Sequence, residues 1–498
     1  MENILLGVMN VFQPMNLLIC FGGLFIGVLF GALPGFSATM GVAVFVPFSY
    51  VMEPEAALLL LSGIYCGGVY GGSIPGILIG IPGTPASVPT AMEGRPLTNR
   101  GESGRGLAMA TFASSLGGVL SALALLVGAP MLAIIAMKVG APEQMMIAIF
   151  GLSVVCMLSM DNMLKGLLVG FISLLIATVG QDPILGFPRF TAGFYQLTGG
   201  VDVVPILIGL FSFPEVFKML VEKPSEEESV SKVSKMTIDM KEVRANTFNF
   251  IRSSLIGIAI GIIPAAGPDI ASFFSYNEAR KASKHPELFG NGSMEGIIAS
   301  ETANNAVTGG SLIPLLTLGI PGSAPAALFL GAMIIHGLRP GPLLFTQNAN
   351  EVYTLLVGFI VINILMMGVG WLYCKWSGKI LLIPKTVLAT TIIILSVVGA
   401  FSINQNMWDV FMMFMAGIIG YIMVENDYPL SPVALGLLLG KTLEQGLMQS
   451  LTLYSDNLLR VFTRPLFIVF FALTVFSYAY PFIKNAKDKK KAAAQKGA

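Results

Sequence analysis

The chain carries little charge. Only 11% of its 498 residues are Asp, Glu, Lys or Arg, where a soluble domain has roughly a quarter. Positions 3–52 hold no charged side chain at all. That scarcity excludes a water-facing surface over most of the chain. Only two histidines occur, His285 and His336, which excludes an H-E-x-x-H metal centre. The four cysteines, Cys20, Cys66, Cys156 and Cys374, stand singly in apolar runs. They lack the paired spacing of a zinc or redox centre and read as small buried hydrophobes. A net charge of +1 offers none of the basic surface that nucleic acid requires. No Lys or Arg precedes Arg95, so the first apolar run has no basic n-region and reads as a membrane segment, not a secretory signal. No acid–base pair stands out, GGSIPG does not fit the G-x-S-x-G nucleophile elbow, and no enzyme is expected. Gly436 to Thr442 resembles a phosphate loop but has one residue too few between its glycines.

What the chain does have is apolar length. Hydrophobic residues make up 54% and mean hydropathy is +0.78. At ~20 residues per crossing, the apolar runs supply roughly 11 to 13 membrane segments. The expected class is an all-α polytopic membrane protein.

One polar stretch, VEKPSEEESVSKVSKMTIDMKEVR, divides the chain. The expected organisation is a first membrane repeat over 1–220, a cytoplasmic linker over 221–247, a second repeat over 248–480 and a basic cytoplasmic tail over 481–498. Landmarks recur between the halves. Gly27, Gly31 and Pro34 match Gly257, Gly261 and Pro264 at one offset. GGSIPGILIGIPGTPAS, from Gly71, is answered by GGSLIPLLTLGIPGSAPA, from Gly309. This pattern predicts an internal duplication. The basic residues switch sides between the halves. Arg280, Lys281 and Lys284 follow the first break of the second half, whereas the matching MEPE segment has none; Arg95, Arg100 and Arg105 follow the second break of the first half, against Arg339 alone in the other. Lys and Arg stay cytoplasmic, so the repeats are expected to be inverted. Residues 17–50 and 250–276 then become re-entrant hairpins, turning near Leu33 and between Pro264 and Pro268.

A proline inside a helix removes a hydrogen bond, at a cost of ~3 kcal/mol. A lone break reads as a kink; four breaks paired between two halves predict discontinuous helices whose ends meet near the midplane. Exposed N–H groups attract anions there, and exposed carbonyls coordinate Na⁺. The candidate substrate residues are Pro34, Gly35, Phe36, Ser37, Ala38 and Thr39 at the first break, and Ser73, Gly83 and Thr84 at the second. In the second half they are Pro264, Ala265, Ala266, Gly267 and Asp269, then Gly322 and Ser323. Candidate Na⁺ ligands are Gly72, Ser73, Asn304, Asn305, Thr308, Gly310 and Ser311. Asp269 reads either as a site residue or as a helix N-cap, and Glu301 either as a site residue or as part of a solvated helix start. Arg95 and Arg339 read as anion guides or as interfacial anchors. Each lone Ser or Thr also has a plainer role in helix capping or helix–helix bonding.

These residues carry a resemblance. GALPGFSATMGVAVFVPF, YGGSIPGILIGIPGTPAS followed by EGRPL, GIIPAAGPDIASFFSY, the run from ETANNAVTGG to GLRPGP, and SPVALGLLLGKTLEQ resemble the large membrane subunit of the tripartite tricarboxylate transporters. The likeness spans nearly the whole chain. It implies a bacterial inner-membrane importer of carboxylates, coupled to a cation, usually Na⁺, with no other cofactor. It also implies two partners, a small membrane subunit and a periplasmic binding protein; a second copy of the chain is a further candidate. Alternating access of an elevator type is the expected motion, and a passive anion channel is the alternative use of the same helix ends. Where the family often has Asp-Gly, this chain has Glu93-Gly94.

Overall fold

The computed structural model describes residues 2–33, 35–158, 163–182, 186–221, 233–264, 266–380, 384–477 and 479. Pro34, Ala265, residues 222–232 of the linker and the basic tail fall outside them. The described chain is overwhelmingly helical, with one antiparallel pair of two-residue strands, Gly180–Gln181 and Pro188–Arg189. Among the described residues, seven helices are long and apolar enough to cross a membrane, and six shorter apolar ones have 10–17 residues. It is a polytopic α-helical membrane protein, as its composition demands. The roughly 11 to 13 apolar runs thus divide into full crossings and shorter pieces. Ala38–Ser49, at 12 residues, spans only about 18 Å of a ~30 Å hydrocarbon layer.

The helices form two compact units, residues 1–133 with 204–421, and 134–203 with 422–498. The first unit draws on both halves of the sequence and contains every break. Its helix Pro14–Ala32 packs along Pro54–Gly71, and Thr247–Ile262 packs along Met294–Leu318. Small residues make both approaches close. Gly23, Gly27 and Gly31 lie against the backbone of Leu60, Ile64 and Gly68, while Gly257 and Gly261 lie against that of Ala303 and Val307.

The second unit is held by Ala141–Leu158, Met163–Ala177 and Ser431–Leu453. Gly436 and Gly440 lie within the last of these helices, packed on Ser173 and Ala177, so the apparent phosphate loop is a helix–helix contact. Glu143, 1% exposed, receives the Arg464 guanidinium. Arg189 joins the strand pair to Asp182 at 3.1 Å and to Glu444 at 2.5 Å.

Candidate functional site

At four paired positions the helix stops, and the local geometry recurs. Leu33 and Ile263 both leave the helix in extended conformation, with φ/ψ of −88/120 and −76/122. Phe36 N–H donates to Leu33 O at 3.0 Å and Ala266 N–H to Ile263 O at 3.2 Å. The chain restarts as helix at Ala38 and at Gly267. Later in each half, Gly80 (φ 79) and Gly319 (φ 73) end their helices in the left-handed region, which glycine enters without steric cost. Gly83 N–H donates to Gly72 O at 3.0 Å, and Gly322 N–H to Ser311 O at 3.4 Å. One difference separates the halves. The first has a helix seam at Gly72, whereas Met294–Leu318 runs unbroken through Gly309 and Gly310.

Two glycines hold these turns against the helices Pro14–Ala32 and Thr247–Ile262. A Cβ on Gly83 would stand 2.1 Å from the Gly31 oxygen, and one on Gly322 would stand 2.0 Å from the Gly261 oxygen. Within the second half, Gly267 N–H donates to Gly322 O at 3.4 Å. The halves also touch each other. The Asp269 carboxylate accepts from the Ala86 backbone, in the short helix Pro85–Ser87 of the first half. Tyr65 Oη bridges Ser311 Oγ at 2.9 Å and Ser323 Oγ at 2.7 Å.

The candidate residues fall into two groups. Gly35, Phe36, Ser37, Ala38 and Thr39 line the first break; Gly83 and Thr84 the second; Pro264, Ala266, Gly267 and Asp269 the third; Gly322 and Ser323 the fourth. Ser37 and Ser323 accept from the N–H groups of Met40 and Ala326. They are therefore N-caps, which satisfy one orphan donor and leave others in the first turn free. Asp269 is not an N-cap, because Ala266 holds that position; it lies in the first turn and stays exposed, where a helix N-terminus favours negative charge. Ser73 Oγ donates back across the Gly72 seam to Tyr70 O at 2.8 Å.

Asn304, Asn305 and Thr308 are not at a break. They lie mid-helix in Met294–Leu318, fully buried with Glu301. A solvated start at Glu301 is thereby corrected: the helix begins at Met294, capped by Ser293. Glu301 accepts from Thr90 Oγ1 at 2.5 Å and Ser114 Oγ at 2.8 Å. Asn304 Nδ2 donates to Val69 O at 3.3 Å, and Cys66 Sγ lies 3.8 Å from Thr308 Oγ1. Asn363 Nδ2 lies 3.7 Å from the same sulfur. Arg95 donates to Leu78 O at 2.7 Å, closing the helix before the second break, while Arg339 is exposed. A polar cleft of about 300 Å³ includes Arg105, Glu242, Ser283 and Glu295, and none of its lining residues belongs to a break.

Sequence reasoning missed Tyr65, Thr90, Ser114 and Asn363. Asn363 had a visible signal, a lone amide in the apolar run VINILMM. Tyr65 had none, since a tyrosine in an apolar helix looks like packing.

Interrupted membrane helices from two halves thus meet through backbone and hydroxyl hydrogen bonds. The chain matches the tripartite tricarboxylate transporter TctA family over residues 17–435 and belongs to it. It is thus one component of a three-part transporter. An uncharacterised 52.8 kDa protein of Agrobacterium vitis, in the TAR-I ttuC′ 3′ region, is 35% identical over 98% of each chain. A second Agrobacterium vitis protein, in the TAR-II ttuC′ 3′ region, is 34% identical over 42% of this chain and 87% of its own. No solved structure matches this chain.

Proposed function

We propose that this chain is the large membrane subunit of a secondary transporter that imports carboxylates, citrate or a related di- or tricarboxylate, across the bacterial inner membrane. A periplasmic binding protein delivers the substrate and a small membrane subunit completes the assembly. The single observation that carries this reading is the contact of the two halves at the breaks, where the Asp269 carboxylate of the second half accepts from the Ala86 backbone of the first and Tyr65 of the first half bonds Ser323 of the second. Helix N-termini at Ala38, Pro85, Gly267 and Ala324 supply N–H donors to an anionic guest without a buried basic side chain.

In this reading the halves are inverted repeats, the central linker and the C-terminus are cytoplasmic, and the hairpins are re-entrant. A cation gradient, that of Na⁺, drives the cycle. Cation binding orders the break segments, the substrate carboxylates settle on the helix ends, and the break-containing helices move as an elevator to release both inside. The test is uptake into proteoliposomes that contain all three components. Uptake that accumulates substrate only under an inward Na⁺ gradient, with accelerated exchange in counterflow, is the expected result. Flux without counterflow would make the protein an anion channel, and uptake indifferent to both Na⁺ and H⁺ gradients would end the coupled reading.

A further inference from the structure

Glu301 stands out as a buried carboxylate with no charged partner among the described residues. It is fully buried, and its two oxygens accept only the hydroxyls of Thr90 and Ser114. Thr90 is itself 2.8 Å from Ser300 Oγ, so the shell around the carboxylate is neutral. An ionised carboxylate without a counter-charge costs several kcal/mol in such a setting.

A second observation lies on the same helix face. Residues three and four positions along a helix are neighbours, and here they are Asn304 and Asn305. Both are fully buried. Asn304 Oδ1 and both polar atoms of the Asn305 amide lack any hydrogen-bond partner, as does Oδ1 of Asn363. Each such orphan costs about 1–3 kcal/mol. A proton on Glu301 would neutralise the carboxylate but supply a single donor, against three orphan amide oxygens. A small cation with oxygen ligands would answer both deficits. No group of three His, Cys, Asp or Glu occurs among the described residues, and a single carboxylate balances a single positive charge.

We infer that Glu301, with Thr90, Ser114 and the amide oxygens of Asn304 and Asn305, is the binding site of the coupling Na⁺, set within the helix and away from the broken-helix carbonyls. This rests on the reading of the chain as a cation-coupled transporter, and it adds the anionic ligand. It also supplies a route to the substrate site. Thr308 and Ser311 continue the face, and Ser311 meets Tyr65, which holds Ser323 at the fourth break. The path from Glu301 to Ser311 is ten residues of one helix, about 15 Å.

The experiment measures retention of radiolabelled Na⁺ by the purified full chain at fixed pH, in parallel with Na⁺-driven uptake by the three-component proteoliposomes. Glu301→Gln is expected to abolish saturable Na⁺ binding. Asn305→Ala, which leaves the charge in place, is expected to weaken it about tenfold. Size exclusion verifies folding; if Glu301→Gln fails to fold, Glu301→Asp and Asn305→Ala carry the test, each with weakened affinity expected. Unchanged Na⁺ affinity in the folded variants, with wild-type uptake still driven by Na⁺, would overturn this site and leave the transporter reading intact. Uptake driven by a pH gradient, in a wild-type chain that binds no Na⁺, would overturn it in favour of a proton on Glu301. Wild-type uptake that ignores both gradients would instead remove the coupled reading itself.

Discussion

Tyr65 and Ser323, 258 positions apart, share a buried hydrogen bond of 2.7 Å between their hydroxyls. The tyrosine belongs to the helix Pro54–Gly71 of the first half, the serine to the last break of the second. Through Ser311 the same phenol also touches the helix that carries the buried polar face.

Tyr65→Phe removes only that oxygen. Ser311 keeps its bond to Thr308 O, and Ser323 keeps its bond from Ala326 N–H, so the loss is modest, about 1–2 kcal/mol. The expected outcome is a folded protein with a thermal midpoint a few degrees lower. Uptake should fall more than stability, because the fourth break loses its tie to the other half. Thermal unfolding measured beside uptake separates the two effects.

Gly83→Ala and Gly322→Ala place a methyl group against a carbonyl oxygen that belongs to a rigid helix end. Each is expected to cost about 3 kcal/mol or more, read as lost yield and a lower midpoint in detergent. Gly22→Ala serves as the contrast. A Cβ there meets nothing within 4 Å, and the change should leave stability unaltered or slightly raised, since alanine favours helix.

Glu93 is fully buried and accepts four hydrogen bonds, from Tyr276 Oη and from the N–H groups of Gly290, Gly292 and Ser293. Glu93→Gln turns an amide donor toward some of these donors. A loss of about 2–3 kcal/mol is expected, with faster proteolysis in the 283–293 loop as its local readout. Wild-type cleavage rates in the variant would show that the loop is held by other contacts.

Arg464→Ala leaves Glu143 buried, with Gly140 N–H as its remaining donor. Breaking a buried ion pair on one side costs about 3–5 kcal/mol. The second compact unit should therefore unfold earlier than in the wild type. Hydrogen exchange in Ala141–Leu158 tests this, and unchanged protection there would refute the anchor.

The breaks were legible because glycine and proline act locally. The pattern around Leu33 and Pro264 places the turns to within a residue or two of where the helices stop at Ala32 and Ile262. The contacts that join the breaks were not legible. Tyr65 reaches partners about 250 positions away, and Glu93 looks like a conservative variation on Asp until its four donors come into view. Nor does the position of a polar linker say which helices pack together. The first compact unit takes strands of sequence from both sides of residues 222–232, because packing follows complementary faces, not chain order. Ser, Thr and Asn in apolar helices announce polarity; whether they bond their own turn, as Ser73 does, or remain orphaned, as Asn305 does, depends on neighbours the chain brings in from elsewhere.

The joints at Gly83 and Gly322 are made by main chain against main chain. Such a joint is indifferent to the chemistry of the side chains around it. Positions beside it can therefore change identity over evolution, retuning what is carried, while the frame that carries it keeps its dimensions.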